Sequence, residues 1–206
     1  MTEKQISLLQ KTADHIKKLY AHEPAVGVVL GSGIGNFSKE IDIEFQLDYS
    51  AIPDFPVSTV KGHSGQLIFG NLEGKKIVAM AGRFHYYEGY AAEQVVFPVR
   101  LMKFLGVRTL MLSNAAGGMN PGFKVGDLMI ITDHISLFIA NPLIGPNDET
   151  RGPRFPDMSE PYKKILIQKA KAAAAEKGIT IKEGVYVGVT GPTFETRAEY
   201  KFLHLA

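Results

Sequence analysis

The 206-residue chain contains no cysteine. This absence excludes disulfides, thiolate catalysis, cysteine-ligated zinc and iron–sulfur clusters. No apolar run approaches the roughly 18 residues that a membrane-spanning helix requires, and the polar N-terminus does not resemble a signal peptide. Lys and Arg number 23 against 21 for Asp and Glu, without a basic block, so a nucleic-acid interface is not indicated. We therefore expect a cytoplasmic protein with neither membrane nor nucleic-acid partners.

Several motifs of catalysis and metal binding are missing as well. The chain has no G-x-S-x-G nucleophile turn, no H-E-x-x-H helix and no EF-hand loop. Its six histidines are scattered without the spacing of metal ligands. We expect no catalytic metal and no cofactor.

The apolar pattern predicts an α/β fold in one domain over residues 1–206. Hydrophobic residues make up 45% of the chain and charged residues 21%, which excludes wholesale disorder. Predicted helices and strands alternate, and several strands are apolar throughout, as in a sheet covered on both faces. The predicted helices cover residues 4–20, 93–104 and 162–177, with Pro98 kinking or starting the second, and a last helix begins near Arg197. The predicted strands cover residues 25–30, 109–112, 127–132 and 184–189, and a hairpin covers 66–81.

Two long segments have no predicted regular structure. They cover residues 49–65 and 141–161, and the second holds five of the 11 prolines. Loops of this length inside a compact domain are usually functional or interfacial.

Four predicted strands each run into a loop that combines glycine with polar or aromatic residues. Ligands of open α/β sheets bind where strands end, so a shared site at these loops is plausible. The first loop, residues 31–35, offers backbone N–H groups and the Ser32 hydroxyl to an anion, or is simply a tight turn. It matches neither a P-loop nor the dinucleotide fingerprint, which leaves a dehydrogenase as a weak alternative.

The second loop, residues 82–89, carries the richest chemistry. Arg83 and His85 are alternate residues, so both face one side of an extended chain, and Tyr87 continues that side. Arginine can bind phosphate through two N–H groups, and histidine can donate to it or act as an acid or base. The alternative interpretation is a solvated strand end with a His–Glu pair.

The other two loops are more ambiguous. Small residues at 114–118 leave room for a flat ligand or for backbone contact with phosphate, or they serve close packing. Phe194 can cover a sugar or ring face, and Glu195 either binds a ligand or lies in the first turn of the following helix. His63 lies between glycine and serine in the first long segment, where it suits either a lid or plain surface.

Together these loops resemble the purine nucleoside phosphorylases of the trimeric, 6-oxopurine-preferring family. The matching segments follow the family's order from about Val26 onward. They are residues 30–35, 61–65, 82–89, 113–118, 133–135, 141–143, 145–148, 154–158 and 191–196. The resemblance implies the nucleoside phosphorylase fold, with a central mixed β-sheet flanked by helices. It also implies a role in purine salvage, in which inosine or guanosine reacts with inorganic phosphate to give free purine and (deoxy)ribose 1-phosphate.

The resemblance also implies a role for individual residues, with His85 and Glu195 as the catalytic pair. Phosphate would be bound by Ser32, His63, Arg83, His85 and the Ala116 backbone. The sugar would contact Tyr87, Phe155 and Phe194. The base would contact Ala115, Gly117, Phe194 and Glu195, with Glu195 accepting hydrogen bonds from purine N1–H. Phe155 would enter the site of a neighbouring subunit, which implies a homotrimer.

Two alternatives stay open beside this resemblance. Methylthioadenosine phosphorylase is a relative that prefers a 6-amino purine, and Glu195 speaks against it. The family pattern also continues beyond residue 206, so the resemblance implies a chain truncated at its C-terminus. A catalytically impaired fragment that only binds nucleoside or phosphate is therefore the second alternative.

Overall fold

The computed structural model describes residues 2–31, 33–56 and 65–206. It divides into two compact units, which are described separately. Unit 1 comprises Met1–Ala115 with Asn141–Asn147, and unit 2 comprises Ala116–Ala140 with Asp148–Ala206. The single domain expected from the sequence stays a prediction.

Unit 1 is built on a five-stranded mixed sheet. Its strands are β1 (Val26–Leu30), β2 (Asp42–Asp48), β3 (Gln66–Leu72), β4 (Lys75–Ala81) and β5 (Thr109–Leu112), in the spatial order β2-β3-β4-β1-β5. Neighbours among β2, β3 and β4 are antiparallel, whereas β1 is parallel to both β4 and β5. Leu30 of β1 lies opposite Ala81 of β4, and Val29 lies opposite Leu112 of β5. The chain segments after these three strands therefore leave from the same edge of the sheet.

Alternate residues of the central strands bury opposite faces of this sheet. Val29, Phe69 and Val78 pack in the cluster that holds Leu9 of α1 (Glu3–Leu19) and Leu101 of α3 (Phe97–Phe104). Their chain neighbours form a second cluster on the other face, made of Val28, Leu30, Ile68, Ile77 and Ala79, which Ile41 joins and against which Phe37 packs. The prediction of apolar strands covered on both faces is thus confirmed for β1, β3 and β4, whereas β5 is largely exposed.

The helices of unit 1 begin where local signals predict. Thr2 and Gln5 form a capping box at the start of α1, in which each side chain accepts a hydrogen bond from the other's backbone N–H. The helix predicted over residues 93–104 is divided into α2 (Ala92–Val95) and α3, which confirms the alternative that Pro98 marks a helix start. Pro98 lies in the first turn of α3, where its missing N–H costs nothing.

Unit 2 contains two parallel strands and two helices. The strands are β6 (Leu128–Ile135) and β7 (Ile181–Val187), and the helices are α4 (Lys164–Glu176) and α5 (Arg197–Leu205). β6 runs three residues beyond its predicted end, and β7 starts three residues earlier than predicted. Thr196 and Glu199 form a capping box that starts α5 at the predicted residue.

One strand was not predicted at all. β2 alternates Ile43, Phe45 and Leu47 with polar residues, which is the pattern of a strand with one buried face. Its register shifts between Ile43 and Phe45, so the strand carries an irregularity there. Throughout the part of the chain that the structure describes, no helix combines the length and apolarity needed to cross a bilayer.

Candidate active site

Three chain segments of unit 1 meet at Ser113, the residue that follows β5. The Ser113 hydroxyl accepts a hydrogen bond from the Gly31 backbone N–H at 3.0 Å and donates one to the Val29 carbonyl at 3.0 Å. The Ser113 carbonyl accepts a hydrogen bond from Arg83 Nη1 at 3.1 Å. The segments that follow β1, β4 and β5 are therefore held together by one residue, as the shared sheet edge predicts.

Arg83 is half-buried, and its guanidinium donates hydrogen bonds to two uncharged groups. Besides its bond to Ser113, its Nε donates to His85 Nε2 at 3.2 Å. No carboxylate among the described residues of unit 1 lies within ion-pair distance of its guanidinium. A half-buried charge without a counter-ion is costly, so this position favours binding of an external anion.

His85 is oriented from both sides of its ring. Its side chain is 17% exposed, and Nδ1 lies 2.8 Å from Oε1 of Glu88, whose side chain is only 3% exposed. Because Nε2 accepts from Arg83, the geometry requires the proton on Nδ1, where it is donated to Glu88. The Tyr87 ring stacks on the imidazole at 4.8 Å with an interplanar angle of 16°. These contacts bring Arg83, His85 and Tyr87 together as predicted, but the extended chain assumed for Tyr87 is wrong, because residues 86–88 form a 3-10 helix.

The predicted His–Glu pair also exists, but it is not a solvated strand end. Glu88 accepts a second hydrogen bond, from the His85 backbone N–H at 2.8 Å. Residues 86–88 form a short 3-10 helix that ends at Gly89 in the left-handed conformation. The pair therefore fixes both the backbone and the imidazole ring of His85.

The glycine-rich segment after β1 approaches Ser113 very closely. A Cβ on Gly31 would lie 2.4 Å from the Ser113 carbonyl oxygen, so only glycine fits there. The Gly31 N–H is already bonded to Ser113 and is not available to an anion. Two residues predicted to bind phosphate, Ser32 and His63, lie outside the described residues.

The segment after Ser113 presents small, exposed residues. Ala115 is the last residue of this stretch of unit 1, and its carbonyl accepts a hydrogen bond from the Asn114 side chain at 3.1 Å. Ala116 and Gly117 belong to unit 2 and are exposed. An added Cβ on Gly117 would meet nothing within 4 Å, so close packing does not explain this glycine.

The other predicted cluster lies in unit 2, in front of α5. Phe194 and Glu195 line a cavity of about 370 Å³ together with Phe138, Val189 and Phe202. Phe194 is 90% exposed, and Glu195 is half-buried. Glu195 has no hydrogen-bond partner among the described residues of unit 2. The capping of α5 is done by Thr196 and Glu199 instead, so the alternative role of Glu195 in the helix start is not needed.

Phe155 stands out from the proline-rich segment of unit 2. Its ring is 87% exposed, and the Arg154 guanidinium lies 5.9 Å from the ring centre.

Within the described ranges, no group of three or more His, Asp or Glu side chains is arranged to hold a metal ion.

Comparison with known proteins decides the family. The model of the phosphorylase superfamily matches residues 25–206. Purine nucleoside phosphorylase 1 of Geobacillus stearothermophilus is 53% identical over 197 residues, which cover 96% of this chain and 72% of that protein. The chain belongs to the purine nucleoside phosphorylases. Enzymes of this family are pentosyltransferases, and the resemblance seen in the sequence is confirmed.

Solved structures of this family share the fold. A Schistosoma mansoni purine nucleoside phosphorylase with adenosine and a schistosome enzyme with hypoxanthine each give a TM-score of 0.90 at 45% identity, covering 96% of this chain and 71% of theirs. A purine nucleoside phosphorylase with ribose 1-phosphate gives 0.91 at 46% identity, covering 96% of this chain and 75% of that one. The predicted fold class, a mixed sheet flanked by helices, is confirmed.

Two residues of the candidate site have no role predicted from the sequence. Ser113 was visible only as a polar residue directly after an apolar strand. The sequence predicts Glu88 only as the partner of His85 in a solvated pair, although its spacing of three residues from His85 suits a 3-10 turn. Their contacts depend on the backbone path, which residue spacing alone does not specify.

Proposed function

We propose that this chain catalyses the reversible phosphorolysis of purine ribonucleosides and deoxyribonucleosides. Inosine or guanosine would react with inorganic phosphate to give the free purine and (deoxy)ribose 1-phosphate. The observation that carries the proposal is Arg83, a half-buried cation beside an oriented His85 with no carboxylate partner in the described part of unit 1. Phosphate acts as co-substrate, and we propose a cytoplasmic role in purine salvage without any cofactor.

The 82–89 turn would bind the phosphate. The Arg83 guanidinium retains N–H groups beyond the two that its hydrogen bonds occupy, and these can donate to phosphate oxygens. His85, whose ring is held between Glu88 and Arg83, would lie beside the bound phosphate and border its site. Ser32, His63 and the Ala116 backbone complete the proposed set of phosphate contacts.

The nucleoside half of the reaction would be served by exposed side chains. Tyr87 and Phe194 would line the sugar, and Ala115, Gly117 and Phe194 would border the purine. Glycosidic cleavage develops positive charge on the sugar and negative charge on the base. A phosphate dianion fixed beneath C1′ stabilises the first and supplies the nucleophile, so no protein nucleophile is needed.

Glu195 would set the preference for 6-oxopurines. A carboxylate accepts a hydrogen bond from N1–H of hypoxanthine or guanine, whereas adenine presents a lone pair at N1. A site built around such a bond rejects the analogue that lacks it, because a half-buried group is left unpaired. Since a schistosome relative has been solved with adenosine, the discriminating measurement is turnover rather than binding.

Phe155 would act in a neighbouring copy of the chain. Its ring is exposed at a proline-rich segment, and large exposed aromatic rings are typical of interfaces. We propose a homotrimer in which this ring covers the sugar site of the next subunit.

The experiment is a comparison of inosine cleavage with and without inorganic phosphate. We expect hypoxanthine to form only when phosphate is present, with ribose 1-phosphate as the second product. Equal cleavage in phosphate-free buffer, with free ribose as product, would identify a hydrolase and contradict the proposal.

A further inference from the structure

A buried tyrosine lies directly behind the 82–89 turn. Tyr49 is 1% exposed, and its hydroxyl donates a hydrogen bond of 2.6 Å to the carbonyl of Gly82. Gly82 is itself buried and adopts a φ of +113°, and it immediately precedes Arg83. The orientation of this peptide sets the direction in which the chain presents Arg83.

The ring of the same tyrosine contacts the turn on the other side of Arg83. Its centre lies 5.4 Å from the ring of Phe84, which is 4% exposed and stands between Arg83 and His85 in the chain. Phe55 packs against both rings, at 4.7 Å from Tyr49 and 5.9 Å from Phe84. Tyr49 therefore contacts both chain neighbours of Arg83, Gly82 and Phe84, while its own side chain stays buried.

Tyr49 is itself fixed to the end of β4. Its backbone N–H donates to the Gly65 carbonyl at 2.8 Å, and the Gly65 N–H donates to the Ala81 carbonyl at 2.9 Å. Burial raises the pKa of the Tyr49 phenol, so the hydroxyl stays protonated and remains a donor across the neutral range.

We propose that Tyr49 is a positioning residue for the phosphate site: its hydroxyl holds the Gly82 peptide, and its ring holds Phe84, so that Arg83 and His85 face the same point. The inference rests on the proposed function, in which that point is where phosphate binds. Tyr49 touches neither reactant and acts only through the turn.

The substitution Tyr49→Phe removes the hydroxyl and keeps the ring. The buried Gly82 carbonyl then has no donor from this side chain, and the peptide is free to rotate. We expect the KM for phosphate to rise about five- to tenfold, the range that losing one hydrogen bond spans, while the KM for inosine stays within about twofold. This split is the signature of positioning, because general loss of stability does not select one substrate.

Tyr20→Phe is the matched control. Tyr20 is 8% exposed, belongs to the same core cluster, and its hydroxyl donates to Glu44 at 2.5 Å, away from the 82–89 turn. We expect this variant to lower the melting temperature at least as much as Tyr49→Phe and to leave the KM for phosphate within about twofold. An equal rise in both variants, or no rise in Tyr49→Phe, would overturn the proposal.

Phe84→Leu provides a second variant should Tyr49→Phe not fold. It leaves the Tyr49 hydroxyl in place and removes the ring contact from the same turn, so the KM for phosphate should again rise more than that for inosine. An unchanged KM for phosphate would contradict the proposal. The phosphate dependence of the unsubstituted enzyme tests the proposed function. The ratio of the KM for phosphate in each variant to that in the unsubstituted enzyme tests the role of Tyr49. Failure of the proposed function can therefore be distinguished from failure of the Tyr49 proposal.

Discussion

The 82–89 turn of unit 1 and the 191–196 segment of unit 2 are built in opposite ways. In the turn, both proposed phosphate-binding side chains have hydrogen-bond partners that orient them: Ser113 and His85 for Arg83, and Glu88 for His85. In the segment, Phe194 is 90% exposed and Glu195 has no hydrogen-bond partner among the described residues of unit 2. The proposed anion site is therefore organised by protein contacts, whereas the side chains proposed to recognise the base are not. We expect substitutions in the turn to affect phosphate use and those in the segment to affect base selection.

Arg83→Ala should have the largest effect. Removing a preorganised cationic donor from a site where charge develops costs on the order of 100-fold or more in kcat/KM for phosphate. Steady-state kinetics with inosine at varied phosphate measures this loss. The exposed Arg108 offers a control, and Arg108→Ala should stay within about twofold. A loss of less than about fivefold in Arg83→Ala would remove the turn from the phosphate site.

Glu195→Gln tests the other side of the comparison. The amide presents both a donor and an acceptor, so the preference for a 6-oxopurine should weaken. We expect kcat/KM for inosine to fall by about 30- to 100-fold while turnover of adenosine does not fall. Glu199 lines the same cavity but is engaged in the capping box of α5, so Glu199→Gln should lower the melting temperature without changing the inosine-to-adenosine ratio. An unchanged ratio in Glu195→Gln would contradict the assignment.

Glu88→Gln should have an intermediate effect. The substitution replaces a charged acceptor of the His85 Nδ1–H by a neutral one, and a hydrogen bond to a charged group contributes about 1.5–3 kcal/mol. We therefore expect kcat/KM for phosphate to fall about tenfold, with the KM for inosine little changed. A larger effect on inosine than on phosphate would show that Glu88 does not act through the phosphate site.

Gly31→Ala and Gly117→Ala compare the packing around one glycine in unit 1 with that around one glycine in unit 2. An added Cβ on Gly31 would lie 2.4 Å from the Ser113 carbonyl oxygen, whereas one on Gly117 would meet nothing within 4 Å. Overpacking of this kind costs about 1–3 kcal/mol, so Gly31→Ala should unfold at lower denaturant concentration and Gly117→Ala should not. Equal midpoints for the two variants would contradict the close contact at Ser113.

The smallest effect concerns a charged group far from the 82–89 turn. Hydrogen bonds from Lys76 and the Tyr20 hydroxyl lower the pKa of Glu44 below its ordinary value of 4.5. A carboxyl group with a lowered pKa stabilises the folded state above that ordinary value, and this contribution disappears as the pH falls through the folded-state pKa. Glu44→Gln should therefore melt below the parent at pH 7, and the difference between the two melting temperatures should shrink as the pH falls below that ordinary value. A difference that does not change with pH would contradict this ion-pair account.

Much of unit 1 follows from the sequence because its signals are local. The capping box of α1, the hairpin of β3 and β4, and the alternation of Arg83 and His85 depend on neighbouring residues only. The bounds of β6 and β7 were less predictable, because their burial is partial and the strand pattern is correspondingly weak. The roles of Ser113 and Tyr49 were not predictable, because each depends on contacts between residues 30 or more positions apart in the chain.

The proposed roles of Phe155, Phe194 and Glu195 rest on the family resemblance and do not follow from the chemistry of the residues alone. An exposed phenylalanine and a half-buried glutamate are compatible with many functions. Only their order among the other family segments connects them with a purine site. The structure adds a cavity in front of Phe194 and Glu195 and shows that Thr196 and Glu199 suffice to cap α5.

The central claim is that bound phosphate is the nucleophile, and radiolabelled phosphate tests it directly. Inosine is incubated with the enzyme and ³²P-phosphate, and the label in the sugar product is compared with the hypoxanthine released. We predict one labelled sugar phosphate for each purine released, and loss of both products together in Arg83→Ala. Hypoxanthine release without label in the sugar would contradict the account.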